Sequence, residues 1–424
     1  MKRILLFGAG KSSVALIDYL IQESALHDWR LTVADGNPAS ILPKLGNSPF
    51  AEPRVMNIEN PEERKKLITQ ADLVISLLPP SFHHLVAKDA IQLGKNLLTA
   101  SYIDENIKQL ALHIEKKKLF FLFEMGLDPG IDHMSAMQLI NRIHGDGGRI
   151  HSFRSHTGGL VSPESDDNPW HYKISWNPRN VVLAGNSGAV FKENNRVIRL
   201  SYEEVFEHCK QIEIEGLGQL AFYPNRDSLS YIPLYSLEES STFIRTTLRY
   251  PAFCENWKYL VRAGLTNAKT ELPSGLRSIK EWSAPILPLI SERDKHYFEY
   301  LGLFDDLPIP KLAKTSADLL QSLLESRLRM KEEDKDMIVM LHQFEYESGN
   351  HTHSLQSSLV IKGNGSTQTA MAKTVGLPLG IAAKLILEEK LALSGLHIPT
   401  LPEIYEPVLK ELAIHGIRFL ETLN

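Results

Sequence analysis

Cysteine is nearly missing. Cys209 and Cys254 are the only two in 424 residues, too few for a disulfide framework or a cysteine-rich zinc site, and in keeping with a reducing compartment. No excess of one charge sign stands out either: a net charge of −5 and a pI near 6.4 argue against a general nucleic-acid binder. No apolar run approaches the ~20 residues that span a bilayer, so no membrane partner is expected, and a mean hydropathy of −0.16 fits an ordinary globular chain. Lys2-Arg3 before Ile4-Leu5-Leu6-Phe7 imitates a signal peptide. Gly8, Gly10, Lys11 and Asp18 break the imitation at once, which reads as a cytoplasmic protein. There is no His-Glu-x-x-His, no comparable ligand set and no Gly-x-Ser-x-Gly elbow; neither a metal centre nor a serine nucleophile is expected.

What the chain does carry begins at its first residues. Arg3-Ile4-Leu5-Leu6-Phe7 reads as a buried parallel strand running into Gly8-Ala9-Gly10-Lys11-Ser12-Ser13. In such a turn Gly8 permits the tight bend and Gly10 lets the backbone approach a pyrophosphate, while Ser13 stands where a third glycine or alanine would let the helix sit on the strand. Val14, Leu16, Ile17, Leu20 and Ile21 then fall at helical spacing, and amides at that helix start face the phosphates. A second strand at 30–34 ends in Asp35. An acid there accepts from an adenosine ribose and repels a 2'-phosphate, which favours NAD, with NADP as the alternative.

Further along, strands are expected at 54–56, 71–80, 96–100 and 119–123, with helices between them; this alternation is that of a doubly wound parallel sheet. Leu77, Leu78 and Pro79 close the 71–80 strand at the cofactor end, and Ser101, Tyr102, Glu124 and Asp128 fall just past strand ends, where such sheets hold ligands. Beyond Gly145 the pattern changes to strands at 150–156, 196–200, 337–346 and 354–361, with a helical stretch at 251–336 and a helical tail from Thr369. The fold class is therefore α/β: a Rossmann-type doubly wound parallel sheet plus an α+β substrate and dimerisation domain with a helical insert. The expected boundaries are 1–130 with 369–424 for the dinucleotide domain, 131–250 with 337–368 for the α+β domain, and 251–336 for the insert.

Several local clusters invite chemistry. Glu124-Met125-Gly126-Leu127-Asp128-Pro129-Gly130-Ile131-Asp132-His133 is a rigid strand-to-helix loop able to aim Asp128 into a cleft, although Asp128 or Asp132 capping the helix explains the same residues. Thr157-Gly158-Gly159-Leu160 reads as a turn needing close backbone approach. The 168–179 stretch, with Trp170, Lys173, Trp176 and Arg179, is either an anion pocket or simple packing. Arg226, in the Tyr223–Ser228 turn after Leu220-Ala221-Phe222, and Arg245 and Arg249 offer planar forks for carboxylates, or surface ion pairs. His351 and His353 read as a solvated hairpin turn; His83, after Pro79-Pro80, is the more credible site histidine.

In this order the motifs resemble the saccharopine dehydrogenase family, in its L-glutamate-forming (saccharopine reductase) type. The matching pieces are Gly8-Ala9-Gly10, Leu77-Leu78-Pro79 through His83, Ala100-Ser101-Tyr102, Gly126 through His133, Gly158-Gly159-Leu160, Asn168-Pro169, Tyr223 through Ser228 and Thr247-Leu248-Arg249-Tyr250. The resemblance implies an NAD(P)-dependent oxidoreductase acting on a CH–NH donor, converting saccharopine to L-glutamate and 2-aminoadipate 6-semialdehyde, or the reverse, in lysine metabolism, with a homodimer as the assembly. It implies that Ser101, Tyr102, Asp128, Arg226, Thr247, Leu248 and Arg249 contact saccharopine, and that Gly8, Gly10, Lys11, Ser12, Ser13, Asp35, Leu77, Leu78 and Pro79 hold the dinucleotide. Where family members carry Tyr-Cys before the Gly-Gly-Leu segment, His156-Thr157 stand here. That leaves Tyr102 and Asp128, with His156 third, as bases for the amine proton. Another secondary amine, such as carboxynorspermidine, or a catalytically silent NAD(H) sensor are the competing readings.

Overall fold

A computed structural model describes residues 1–423. The chain divides into two compact units, 1–142 with 367–418 and 143–366 with 419–424.

Seven strands make the sheet of the first unit: β1 (Arg3–Phe7), β2 (Arg30–Asp35), β3 (Ala51–Val55), β4 (Leu73–Ser76), β5 (Asn96–Thr99), β6 (Phe120–Leu122) and, from the far end of the chain, β16 (Gly395–His397). Their order is β16-β6-β5-β4-β1-β2-β3, every pair parallel. Direction reverses about β1, so the carboxyl ends of β1 and β4 define the switch point where such sheets bind ligands. β1 and β4 are apolar runs buried on both faces, as a covered parallel sheet requires. The helix Ala370–Leu387 is long and apolar enough to cross a membrane by length and composition; here 78% of it is buried, because it lies on the helix Val14–His27. The approach is close. A Cβ at Gly376 would stand 2.7 Å from the Leu16 amide nitrogen, and one at Gly380 2.5 Å from the Tyr19 ring. The tail therefore completes the first unit with a helix and an edge strand. That strand carries no sequence signal, since its three residues are too few to show a period.

The second unit holds a ten-stranded mixed sheet built from β7 (Arg149–Val161), β8 (Ala189–Glu193), β9 (Arg196–Leu200), β10 (Lys210–Ile214), β11 (Gly218–Pro224), β12 (Arg226–Asp227), β13 (Thr242–Arg249), β14 (Asp336–Ser348), β15 (His351–Lys362) and β17 (Leu420–Leu423). β7 is its spine, parallel to β13 on one side and antiparallel to β14 on the other. Residues 157–160, expected as a turn, lie inside β7. The close approach demanded by Gly158 is to Leu248 of β13, 2.6 Å from the position of a Cβ. His351 and His353 likewise belong to β15, paired with Ser348 and Tyr346, so the turn is confined to Gly349-Asn350. β17 pairs with β15, placing the last described residues in this sheet, although the sequence reading assigned the whole tail to the dinucleotide domain. The helices of 251–336 do not pack apart either. Trp170, fully buried, makes edge contacts with Phe253, Trp257 and Phe298, fusing this stretch into the core of the second unit.

Candidate functional site

The glycine turn is built as its residues dictate. Gly8 has φ +99, and a Cβ on it would come within 2.6 Å of the Leu77 carbonyl oxygen; only glycine satisfies both demands. Its amide donates to Ala34 O at 2.9 Å, and the Leu77 amide to Phe7 O at 2.8 Å. Gly10 differs: its φ of −67 suits any residue, and a Cβ there would meet nothing within 4 Å. Packing does not explain that glycine, whereas a phosphate lying against the backbone does. Among the described residues no side chain caps the helical start at Lys11 or Val14, so the positive end of a 14-residue helix is available to an anion. Ser13 is buried, its hydroxyl donating to Gly10 O at 2.8 Å. These features fit a dinucleotide pyrophosphate.

Asp35 is more occupied than the sequence suggested. One carboxylate oxygen accepts from the Ala9 amide at 2.7 Å and the other from the Asn37 amide at 2.9 Å, so the acid braces the glycine turn, with lone pairs left for a ribose hydroxyl. The Lys44 ammonium lies on the carbonyls of Ala9 and Gly10. Burial lowers its pKa, and the charge of Asp35 works in the opposite direction. Lys44 was not singled out by sequence, because nothing local ties it to a turn 34 residues earlier.

At the neighbouring strand ends, Tyr102 donates its hydroxyl to Asp128 Oδ1 at 3.2 Å; the two candidate bases are brought together. Their loop is rigid for visible reasons. Glu124, buried and at φ +56, accepts from the Ile103 amide at 3.1 Å and bonds His133 Nε2 at 2.9 Å. Asp132 accepts from the Gly130 amide at 2.6 Å, so Asp132 braces the start of the following helix, while Asp128 accepts from Tyr102. His83 is buried between Ser76 Oγ at 2.9 Å and Ser101 Oγ at 2.7 Å. Burial pushes its pKa down to about 4 against the pull of Asp104.

In the second unit the sequence candidates separate. Arg226 is exposed in β12 at φ +52. Arg245 is buried over the Tyr231 ring, 4.4 Å to the centroid. Arg249 is only 3% exposed, between the rings of Tyr172 at 5.3 Å and Phe253 at 5.5 Å. It donates to Leu248 O at 2.7 Å, its Nε has no partner, and among the described residues no carboxylate pairs with it. Burial of a cation without a counter-ion costs several kcal/mol. Thr247 and Leu248 precede it in β13. The 168–179 stretch is packing instead of a pocket: Lys173 is paired with Asp334 at 2.7 Å and Asp167 at 2.9 Å, and Arg179 with Asp318 at 2.8 Å. His156 is fully buried between Thr246 Oγ1 at 2.7 Å and Gln343 Oε1 at 3.2 Å. With its pKa pushed to about 4 by burial and both nitrogens engaged, it is no longer a base for a substrate amine. Among the described residues no group of three metal-ligating side chains occurs.

A parallel sheet of this order, with a glycine turn, an acid at β2 and titratable groups at the next strand ends, defines the class: a Rossmann-type dinucleotide-dependent oxidoreductase. The family model described as "Saccharopine dehydrogenase NADP binding domain" matches residues 4–121, and that described as "Saccharopine dehydrogenase C-terminal domain" matches 126–417. The chain belongs to the saccharopine dehydrogenase family. A Saccharomyces cerevisiae protein named "Saccharopine dehydrogenase [NADP(+), L-glutamate-forming]" is 32% identical over 97% of this chain and 96% of its own length. The "Alpha-aminoadipic semialdehyde synthase" of Arabidopsis thaliana is 35% identical over 86% of this chain, which spans only 38% of that longer protein. The solved apo saccharopine dehydrogenase (L-Glu forming) of Saccharomyces cerevisiae superposes with a TM-score of 0.88 at 32% identity, covering 100% of both chains. A Legionella pneumophila homospermidine synthase, at 11% identity and a TM-score of 0.61, shares the fold.

Proposed function

We propose that this protein oxidises saccharopine with NAD(P)+ to L-glutamate and 2-aminoadipate 6-semialdehyde, or runs the reverse reductive condensation, in lysine metabolism. The observation that carries the reading is the near-full-length match to a yeast protein named for the L-glutamate-forming reaction. Arg249 supports it: a buried guanidinium without a carboxylate suits a substrate with three of them.

Gly8, Gly10, Lys11, Ser12, Ser13, Asp35 and the Leu77-Leu78-Pro79 turn hold the dinucleotide in this proposal, and Ser101, Tyr102, Asp128, Arg226, Thr247, Leu248 and Arg249 contact substrate. When bound, the nicotinamide accepts a hydride from the lysine-derived carbon beside the secondary amine. The chain's task is the proton. Asp128, hydrogen-bonded to the Tyr102 hydroxyl, takes it from the amine directly or through that hydroxyl. Water then adds to the C=N bond; one saccharopine, one water and one oxidised dinucleotide give glutamate, the semialdehyde, the reduced dinucleotide and a proton. The test is growth of reduced-nicotinamide absorbance on adding saccharopine, with both products assayed; a protein that binds the dinucleotide but gives no such absorbance overturns the proposal.

On the cofactor, we infer that NAD is preferred and NADP accepted. Asp35 at the end of β2 supports NAD, while the NADP in the names of the family model and the yeast relative and the cation of Lys44 limit the preference. Equal kcat/KM with the two dinucleotides would refute it. Lys44→Ala is expected to lower kcat/KM for NADP+ more than for NAD+, by ~3–10-fold, the worth of one partly screened charge. The homodimeric and cytoplasmic setting goes with this proposal, and sedimentation and cell fractionation test it.

A further inference from the structure

His83 sits at the first position of the helix His83–Leu93, reached through the Pro79-Pro80 turn that follows β4. Its ring spans two adjacent strands, with Nδ1 2.9 Å from Ser76 Oγ at the end of β4 and Nε2 2.7 Å from Ser101 Oγ just past β5. Ser76 is wholly buried, and among the described residues its hydroxyl has no other hydrogen-bond partner. A neutral imidazole carries one proton, so one ring nitrogen donates and the other accepts. Were Nδ1 the donor, the Ser76 proton would be sealed away without an acceptor, at a cost of about 1–3 kcal/mol. The stable arrangement has Ser76 donating to Nδ1 and His83 Nε2–H donating to Ser101. The lone pair of Ser101 that faces the ring is then filled, and its own proton is directed away from the ring, free to donate elsewhere.

We propose that Ser76 and His83 are positioning residues that fix the tautomer of the ring and thereby hold the Ser101 hydroxyl as a hydrogen-bond donor to a carboxylate of the substrate. The inference rests on the functional reading only for the identity of that acceptor; the direction of the proton chain follows from Ser76, His83 and Ser101 themselves. Burial keeps the ring neutral at physiological pH, and a charged ring would force the Ser76 hydroxyl to turn and accept. A serine with a free rotor would instead divide its time between donating to the ring and to the ligand. The sequence singled out His83 and Ser101 but not their link through Ser76, since the three are spaced 7 and 18 residues apart, matching no local repeat.

Two measurements on the full chain test the inference. In 15N spectra of imidazole-labelled protein without substrate, with His83 assigned by loss of its signals in His83→Gln, the Nε2-protonated tautomer is expected, and Ser76→Ala should turn it into a mixture. A ring protonated on Nδ1, or one indifferent to Ser76→Ala, overturns the proposal. In steady-state kinetics, Ser101→Ala and His83→Leu are each expected to raise KM for saccharopine ~10-fold with a smaller effect on kcat, the loss of one charge-assisted hydrogen bond. The double variant should be no worse than either single one, because both remove the same bond. His83→Gln, whose amide nitrogen reaches the place of Nε2, should recover most of the loss. Additive effects would mean that His83 acts on the fold and not through Ser101. If His83→Leu does not fold, Ser76→Ala, lacking one oxygen only, carries the kinetic test with a smaller rise in KM. A wild type inert toward saccharopine would sink the functional proposal alone, since the tautomer is read without substrate.

Discussion

Arg249 sets stability against function at a single side chain. Its guanidinium lies among Tyr172, Tyr223 and Phe253, with no carboxylate among the described residues, and burial drives the Tyr223 hydroxyl up to about 12, with Arg249 opposing. Replacing an uncompensated buried charge by an apolar chain of like volume removes a desolvation penalty. Arg249→Met should therefore leave the urea midpoint of the ligand-free protein unchanged or raise stability by about 1 kcal/mol, while saccharopine no longer saturates the enzyme. A variant that unfolds earlier yet binds normally would make Arg249 a structural residue. At this scale the sequence was legible where one residue's covalent nature imposes the geometry, as at Gly8. It was silent where a role depends on a distant partner: Lys173 and Arg179 are neutralised by acids 161 and 139 residues away, so a stretch that looked like an anion pocket is a set of closed ion pairs. His156 was misread for the same reason, because both of its partners lie on other strands.

At the scale of elements, the helix Ala370–Leu387 shows how composition reports environment without saying which one. Its hydropathy would suit a lipid bilayer, but Gly376 and Gly380, one turn apart, let it lie directly on the helix Val14–His27. A methyl at position 376 meets backbone, at Leu16 N, which cannot rotate away. Gly376→Ala is expected to cost about 2 kcal/mol through overpacking, whereas Gly145→Ala, where a Cβ meets nothing within 4 Å, should be neutral or slightly stabilising; urea midpoints of the pair decide it. Long elements with one buried face were legible, and so were the apolar strands β1 and β4. β7 was read at half its length because strands pair on both sides of it and most of its 13 residues are buried, which erases the alternation that marks a half-exposed strand. β8, β10, β11, β12 and β13 passed unnoticed, and β16 and β17 are too short to announce themselves.

For the whole molecule, each unit encloses a histidine that its surroundings hold neutral: His83 in the first, His156 in the second. Both have pKa values near 4, set by burial, against an ordinary 6.5. The sign of the consequence is fixed. Between pH 6.5 and 4 the unfolded chain takes up a proton at each site that the native protein does not, so stability is complete above about 6.5 and falls as pH drops toward 4. Each histidine then removes about 3 kcal/mol, a large share of the roughly 5–15 kcal/mol typical of folded proteins. Carboxylates whose pKa values are lowered, such as Asp318 beside Thr315 and Arg179, lose their contribution only at more acid pH, so the upper part of this window belongs to the histidines. Urea unfolding at about pH 7.5 and about pH 5 should show a clear loss of midpoint in the wild type. His83→Gln and His156→Gln should each remove part of that loss, and the double variant most of it. A midpoint flat across the window would mean that both rings are protonated in the native state, and with a charged His83 the proton chain through Ser76 and Ser101 would be wrong as well.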